Sequence, residues 1–197
     1  MFNIYRIAMS PREKAKKVVG VAGMPGAGKS LAVKIAKERG YAVIVMGDEV
    51  REEARRRGVE ATPENMGKIM LELREKEGAE AVAKRCLPKI ERAEQAMVLV
   101  EGIRSLEEVE AFRRKLGNFH LIAIHASPET RFKRLFHRAR SDDPESRKTF
   151  VERDMRELAV GLGKVIALAD YMIVNEGTTR EAEEKIRQIL REIEKDE

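Results

Sequence analysis

The sequence predicts an α/β protein built on a doubly wound, five-stranded parallel sheet, and three observations carry that prediction. Five short apolar, β-rich segments recur along the 197 residues, helical patterns separate them all, and a glycine-rich loop joins the first segment to the first helix. Strands that are nearly continuous in Val, Ile, Leu and Ala are buried on both faces, which calls for helices on both sides and right-handed crossovers. A chain of 197 residues with 43% hydrophobic residues suits one domain with one sizeable core.

The first 17 residues are basic and weakly patterned, and read either as a strand with a loop or as a tail. Strand one, residues 18–22, ends at Gly23, and residues 29–39 form a helix stopped by Gly40. Between them Gly23-Met24-Pro25-Gly26-Ala27-Gly28-Lys29-Ser30 matches G-x-x-x-x-G-K-[ST] in full. At such a turn successive backbone N–H groups and the helix N-terminus can surround phosphate oxygens, with Lys29 reaching the β/γ-phosphates and Ser30 ligating Mg²⁺. A nucleoside triphosphate, ATP in the first instance, is therefore the expected ligand.

Strand two covers residues 42–46. The helical stretch after it, residues 49–95, is longer than one crossover requires. Thr62 and Pro63 supply an N-cap and a first-turn proline, Met66, Ile69, Met70 and Leu73 give one apolar face, and Gly78 breaks the run before a second helix over residues 79–94. This stretch reads either as a plain crossover or as an acceptor-binding insertion. Strands three and four cover residues 97–100 and 119–126.

Residues 128–164 form a lid-like helical region. Ser127-Pro128 caps its first helix, with Phe132, Leu135 and Phe136 as core contacts. Its polar face carries Arg131, Arg134, Arg138 and Arg140, with no acid between residues 131 and 140. A turn at residues 141–144 leads to a helix whose Met155, Leu158, Leu162, Val165 and Ile166 return toward strand five, residues 171–174. An amphipathic helix over residues 179–194 ends the chain, with Thr178 and Glu181 as a capping box. The sheet core is thus residues 18–48, 96–127 and 165–197.

Composition narrows the function classes. The apolar runs are strand-sized, far short of the about 20 residues that cross a bilayer, and no secretory pattern opens the chain, so a cytoplasmic protein without a membrane partner is expected. Cys86 is the one cysteine, which excludes an intrachain disulfide and a cysteine-cluster metal site. His120, His125 and His137 lack the spacing of a zinc signature. Charged residues make up 37% of the chain, as on a thermophile's ion-paired surface. The net charge of +5 is spread through 39 basic and 34 acidic residues, so a solvated mixed surface is favoured over nucleic acid as a partner. Nothing in the sequence sets an oligomeric state.

Phosphoryl transfer needs an acid near the metal, a group that holds the acceptor, and positive charge that arrives during transfer. Glu101 closes strand three, where it can bind Mg²⁺ directly or through water. Asp48 follows strand two at the C-terminal edge of the sheet, the ligand edge of open α/β proteins, with Arg51 one turn onward. A phosphate acceptor puts the weight on Arg51, as a bidentate anchor, and a hydroxyl acceptor puts it on Asp48, as its base. A helix N-cap with an exposed arginine is the plain alternative for that pair. Arg104 lies just beyond strand three and can reach the same acceptor. Arg138 or Arg140 can close over the transferring group, stabilising its charge and excluding water.

Together the phosphate loop, Gly47-Asp48-x-x-Arg51, Glu101-Gly102-Ile103-Arg104, the arginine-rich helix and Ala169-Asp170-Tyr171-Met172-Ile173-Val174-Asn175 resemble the nucleoside monophosphate kinase and dephospho-CoA kinase group of P-loop NTPases. Within it the chain looks like archaeal proteins described only as nucleotide kinases related to CMP, AMP and dephospho-CoA kinases. Gly47-Asp48-x-x-Arg51 resembles the adenylate-type motif whose arginine binds the acceptor phosphate. Glu101-Gly102-Ile103-Arg104 resembles D-G-F-P-R, with Glu for Asp and without the Phe-Pro pair. Ala167 to Tyr171 with Asn175 resembles the end of dephospho-CoA kinases, which implies that Asn175 borders the adenine-contacting loop. The resemblance implies transfer of the γ-phosphoryl group of ATP, with Mg²⁺, to a small acceptor. Other readings are phosphorylation of a hydroxyl, as in dephospho-CoA, a slow nucleotide-dependent regulatory ATPase without a small acceptor, and an RNA-directed activity of the arginine face.

Overall fold

A computed structural model describes residues 16–138 and 143–196. The strands are β1 (Lys17–Ala22), β2 (Ala42–Val45), β3 (Met97–Glu101), β4 (Phe119–His125) and β5 (Tyr171–Val174), and every pairing among them is parallel. Val18, Val19, Val21 and Ala22 are shielded from solvent on both faces, and β1 accordingly lies at the centre of the order β2-β3-β1-β4-β5. The chain thus runs outward to β2, back to β3, then across β1 to β4 and β5. The five-stranded, doubly wound parallel sheet expected from the sequence is the observed fold. Its direction reverses around β1, which places a ligand crevice at the C-terminal end of that strand.

The helices are α1 (Lys29–Glu38), α2 (Met46–Arg56), α3 (Pro63–Glu77), α4 (Ala81–Arg92), α5 (Leu106–Lys115), α6 (Pro128–Arg138), α7 (Arg147–Val160), α8 (Leu162–Ala167) and α9 (Thr179–Lys195). Period-2 alternation along the strands divides the core in two. Val19, Val21, Leu99, Ile122 and Ile173 pack with α1 and α9, whereas Val18, Val98, Val100 and Leu121 face the side that holds α4, α5 and α8. Helix α9 buries Ala182, Ile186, Leu190 and Ile193, a stripe at helical spacing, and is started by the Thr178–Glu181 capping box. Three helices, α2 to α4, stand between β2 and β3. Thr62 Oγ1 accepts from the Asn65 amide at the start of α3, and Gly78 ends that helix at a φ of 96°.

Several local expectations are corrected. Strand two ends at Val45 rather than residue 46, because the chain passes from an extended Val45 straight into α2, and Asp48 is therefore a first-turn residue and not a cap. Phe136 is 56% exposed instead of packing in the core with Leu135. Met155 and Leu158 face outward, while α7 turns Phe150, Asp154 and Glu157 inward. The apolar pattern of α7 thus pointed to the wrong face, because the buried face of this helix carries charge. The expectations for residues 1–15, and for Arg140 and the turn at 141–142, fall outside the described residues.

Candidate active site

The loop from Gly23 to Ser30 leaves the end of β1 and opens α1, and it is pressed onto the scaffold from beneath. A Cβ at Gly26, where φ is 80°, would lie 2.8 Å from the Arg131 carbonyl and 3.0 Å from Leu135. One at Gly28, where φ is 106°, would collide with the Asn175 amide nitrogen. These two glycines therefore serve left-handed backbone and close packing at once. Met24, Pro25 and Ala27 are buried against the scaffold, whereas the Ser30 hydroxyl opens to solvent at the first turn of α1.

Lys29 carries the electrostatics of the loop. Its Nζ donates to the Gly23 carbonyl at 2.7 Å and to that of Met24 at 3.4 Å, and it stands 4.0 Å from Glu101 Oε1. Burial pushes its pKa below the ordinary lysine value; the Glu101 and Glu157 carboxylates oppose that shift, and Arg104 and Arg153 add to it. Among the described residues this largely buried ammonium is held by two carbonyls and one carboxylate at 4.0 Å, an arrangement that suits a polyanion. Glu101 reaches this point because the β3 register sets it beside Val21 of β1 and Val45 of β2 at the sheet's ligand edge.

Asn175 and Arg131 brace the loop. Asn175 follows β5, is 6% exposed, donates from Nδ2 to the Ala27 carbonyl at 2.8 Å and accepts from Arg134 Nη2 at 3.4 Å. Arg131 sits 3% exposed beneath the loop, donating to the Ala126 and Pro25 carbonyls and bidentately to Asp154 at 2.8 and 2.5 Å, with its guanidinium over the Phe150 ring. Arg131 thus leaves the arginine face proposed for a lid, since its charge is buried against α7. Arg138 does lie at the exposed end of α6, where it binds Asp143 bidentately. Asp170 is at the opposite edge of the sheet, tying the Leu121 amide and Arg113.

On the acceptor side each candidate arginine has an acid partner. Arg51 binds Asp48 Oδ1 at 2.9 and 2.5 Å on the exposed first turns of α2. Arg104 contacts Glu157 Oε1 of α7 at 3.3 Å and Met70 Sδ of α3 at 3.7 Å. Glu157 and Arg153 were missed in the sequence. They fall at i and i+4 on α7, a spacing that puts both on one face, but nothing in the sequence shows that this face turns inward.

The AAA domain family matches residues 22–150, from the end of β1 into α7. A UPF0200 protein of Hyperthermus butylicus is 51% identical over 173 residues, which are 88% of this chain and 92% of that one. This chain belongs to the UPF0200 family. Among solved structures, TT1252 from Thermus thermophilus is similar at a TM-score of 0.62 and 19% identity, covering 91% of the UPF0200 chain and 98% of its own. Shikimate kinase from Acinetobacter baumannii, solved in complex with shikimate, is similar at a TM-score of 0.57 and 17% identity, covering 93% and 97%. At these identities the likeness is one of fold. The UPF0200 chain has a P-loop kinase-like fold, in keeping with the resemblance its motifs carry, and its relatives are archaeal. Among the described residues no helix is long and apolar enough to cross a membrane, and no cluster of three or more His, Cys, Asp or Glu gathers for a metal.

Proposed function

We propose that this chain is a phosphotransferase that moves the γ-phosphoryl group of ATP to a small acceptor, first of all a nucleoside monophosphate. The observation that carries the reading is the desolvated Lys29 ammonium between the loop carbonyls and Glu101, at the crevice where the sheet reverses direction. Lys29 and the loop backbone from Gly23 to Ser30 hold the phosphates, and Asn175 keeps that loop in place. The Ser30 hydroxyl, exposed at the start of α1, and the Glu101 carboxylate are the groups that would hold Mg²⁺. Bound with ATP, that ion neutralises charge on the β- and γ-oxygens. Arg51 and Arg104 anchor the acceptor, and Arg138 closes over the transferring group.

A hydroxyl acceptor is the second reading, and the pairing of both acceptor arginines with carboxylates favours it. Asp48 is then the base for the hydroxyl proton. An acceptor screen with labelled ATP and Mg²⁺, covering the four ribonucleoside monophosphates, dephospho-CoA and small hydroxy acids, separates the two. Label on a monophosphate supports the first reading, and label on a hydroxyl the second. Stoichiometric ATP binding with no acceptor labelled refutes both.

A further inference from the structure

Just beyond the end of β3 lies a polar cluster of which the roles above use Arg104 alone. Arg104 is its hub: its backbone N–H donates to Glu108 Oε2 at 2.8 Å, and its guanidinium touches Met70 of α3 and Glu157 of α7. Met70 is one helical turn from Arg74 on α3, and Arg74 Nη2 donates to Glu108 Oε1 at 2.7 Å, closing the ring through α5. Three buried polar atoms of this ring have no partner among the described residues, namely Nε and Nη1 of Arg74 and Oε2 of Glu157. The side chains concerned are 13% and 12% exposed, while Arg104 between them is 39% exposed, so the ring is walled by buried charge and open at its hub.

A buried donor or acceptor left unmade costs about 1–3 kcal/mol, more where it is charged, so three in one ring point to a purpose other than stability. Their chemistry is complementary. Arg74 offers two donors and no acceptor, and an ionised Glu157 offers an acceptor and no donor. A phosphoryl group satisfies the first and is repelled by the second. A group with a hydrogen-bond acceptor beside an N–H or O–H donor satisfies both.

We propose that Arg74 and Glu157, on either side of Arg104, recognise the non-reacting part of the acceptor, which presents a hydrogen-bond acceptor to Arg74 and a donor to Glu157. This rests on the kinase reading and deepens it. Two sources supply that chemistry: the polar edge of a nucleobase, where an amino or imino N–H neighbours a ring nitrogen or carbonyl, and a hydroxy acid, where a hydroxyl neighbours a carboxylate. The Glu157 carboxylate also opposes the downward shift that burial imposes on Lys29.

The test compares wild-type protein with Glu157→Gln and Arg74→Lys, all checked for folding by thermal melting. Binding of AMP, CMP, GMP, UMP and a hydroxy acid such as shikimate is measured by calorimetry in the presence of a non-hydrolysable ATP analogue and Mg²⁺, and turnover is measured in parallel. The expected result is binding by the nucleotides or by the hydroxy acid, weakened about tenfold or more by Glu157→Gln, with affinity for the ATP analogue changed far less. Arg74→Lys, which keeps the charge facing Glu108, is expected to weaken the same ligand. Wild-type protein that binds none of these ligands, or a folded Glu157→Gln that binds them all as wild type does, overturns the subsite. Binding of the expected pattern without phosphoryl transfer leaves the subsite standing and refutes the kinase reading instead. Transfer that is indifferent to both substitutions does the reverse.

Discussion

Replacing Asp154 by Asn tests whether the inward face of α7 holds the phosphate loop. Asp154 accepts two charge-assisted hydrogen bonds from Arg131, at 2.8 and 2.5 Å, and the Arg131 side chain is 4% exposed. The asparagine keeps one oxygen facing the guanidinium but removes the counter-charge, and uncompensating a buried ion pair costs about 3–5 kcal/mol. For a chain of this size each kcal/mol moves the melting temperature by about 2–4 °C, so a fall of about 6–20 °C is expected. The assay is thermal unfolding of the two proteins, with and without ATP and Mg²⁺. A second variant carries Arg131→Met with Asp154→Leu, which removes both charges together and is expected to recover much of the stability. That double variant still leaves the Pro25 carbonyl without the donor that Arg131 supplied at 3.2 Å, so its ATP affinity is expected to stay below wild type. A fall of less than about 1 kcal/mol in Asp154→Asn, together with unchanged ATP binding in both variants, refutes the reasoning.

Three further outcomes follow from the same geometry. Lys29→Ala is expected to abolish phosphoryl transfer while the protein keeps its fold, since among the described residues the ammonium bonds two loop carbonyls and faces Glu101 at 4.0 Å; full transfer by the folded variant sinks the proposed mechanism. Asn175→Ala removes the bond to the Ala27 carbonyl and the contact under Gly28, and is expected to weaken ATP binding about tenfold, or about 1.4 kcal/mol, with little change in acceptor affinity, as read by calorimetry. Glu53, bound by Arg57 first and by Arg85 and Arg56 besides, has its pKa pulled from the ordinary 4.5 down to about 2. A depressed carboxylate stabilises the fold above its unfolded pKa and loses that contribution as pH falls through the folded one, so denaturant melts between pH 5 and 2 are expected to lose stability that a Glu53→Gln variant does not show.

The sheet was legible because its central strands are buried on both faces and its loop carries a contiguous motif. Residues 18–22, 119–125 and 171–174 each lack charge, or confine polarity to their ends, and a run of that kind has few places to go except a parallel sheet. The phosphate loop was legible for a different reason: its geometry is local, so eight consecutive residues specify it. Asp48 was misplaced by one element boundary, because a strand that runs directly into a helix has no turn residues to mark the passage.

The other half of the crevice was less legible, and α7 shows why. Its apolar residues Val151, Met155 and Leu158 recur at helical spacing, and hydrophobic periodicity assigns such a stripe to the core. In the fold they are 49%, 61% and 46% exposed, and the inward positions carry Asp154 and Glu157. Each of those acids is matched to an arginine from another part of the chain, Arg131 on α6 and Arg104 after β3, so the signal that would reveal them is a pairing between distant residues and not a pattern along one helix. The two pairs differ in one respect. Arg131–Asp154 is bidentate and closed, with Arg131 further bound to two loop carbonyls, as a strut should be. Arg104–Glu157 is a single contact with a buried oxygen left over and an arginine open to the crevice, and an incomplete pair of that kind is the place where a ligand has something to add.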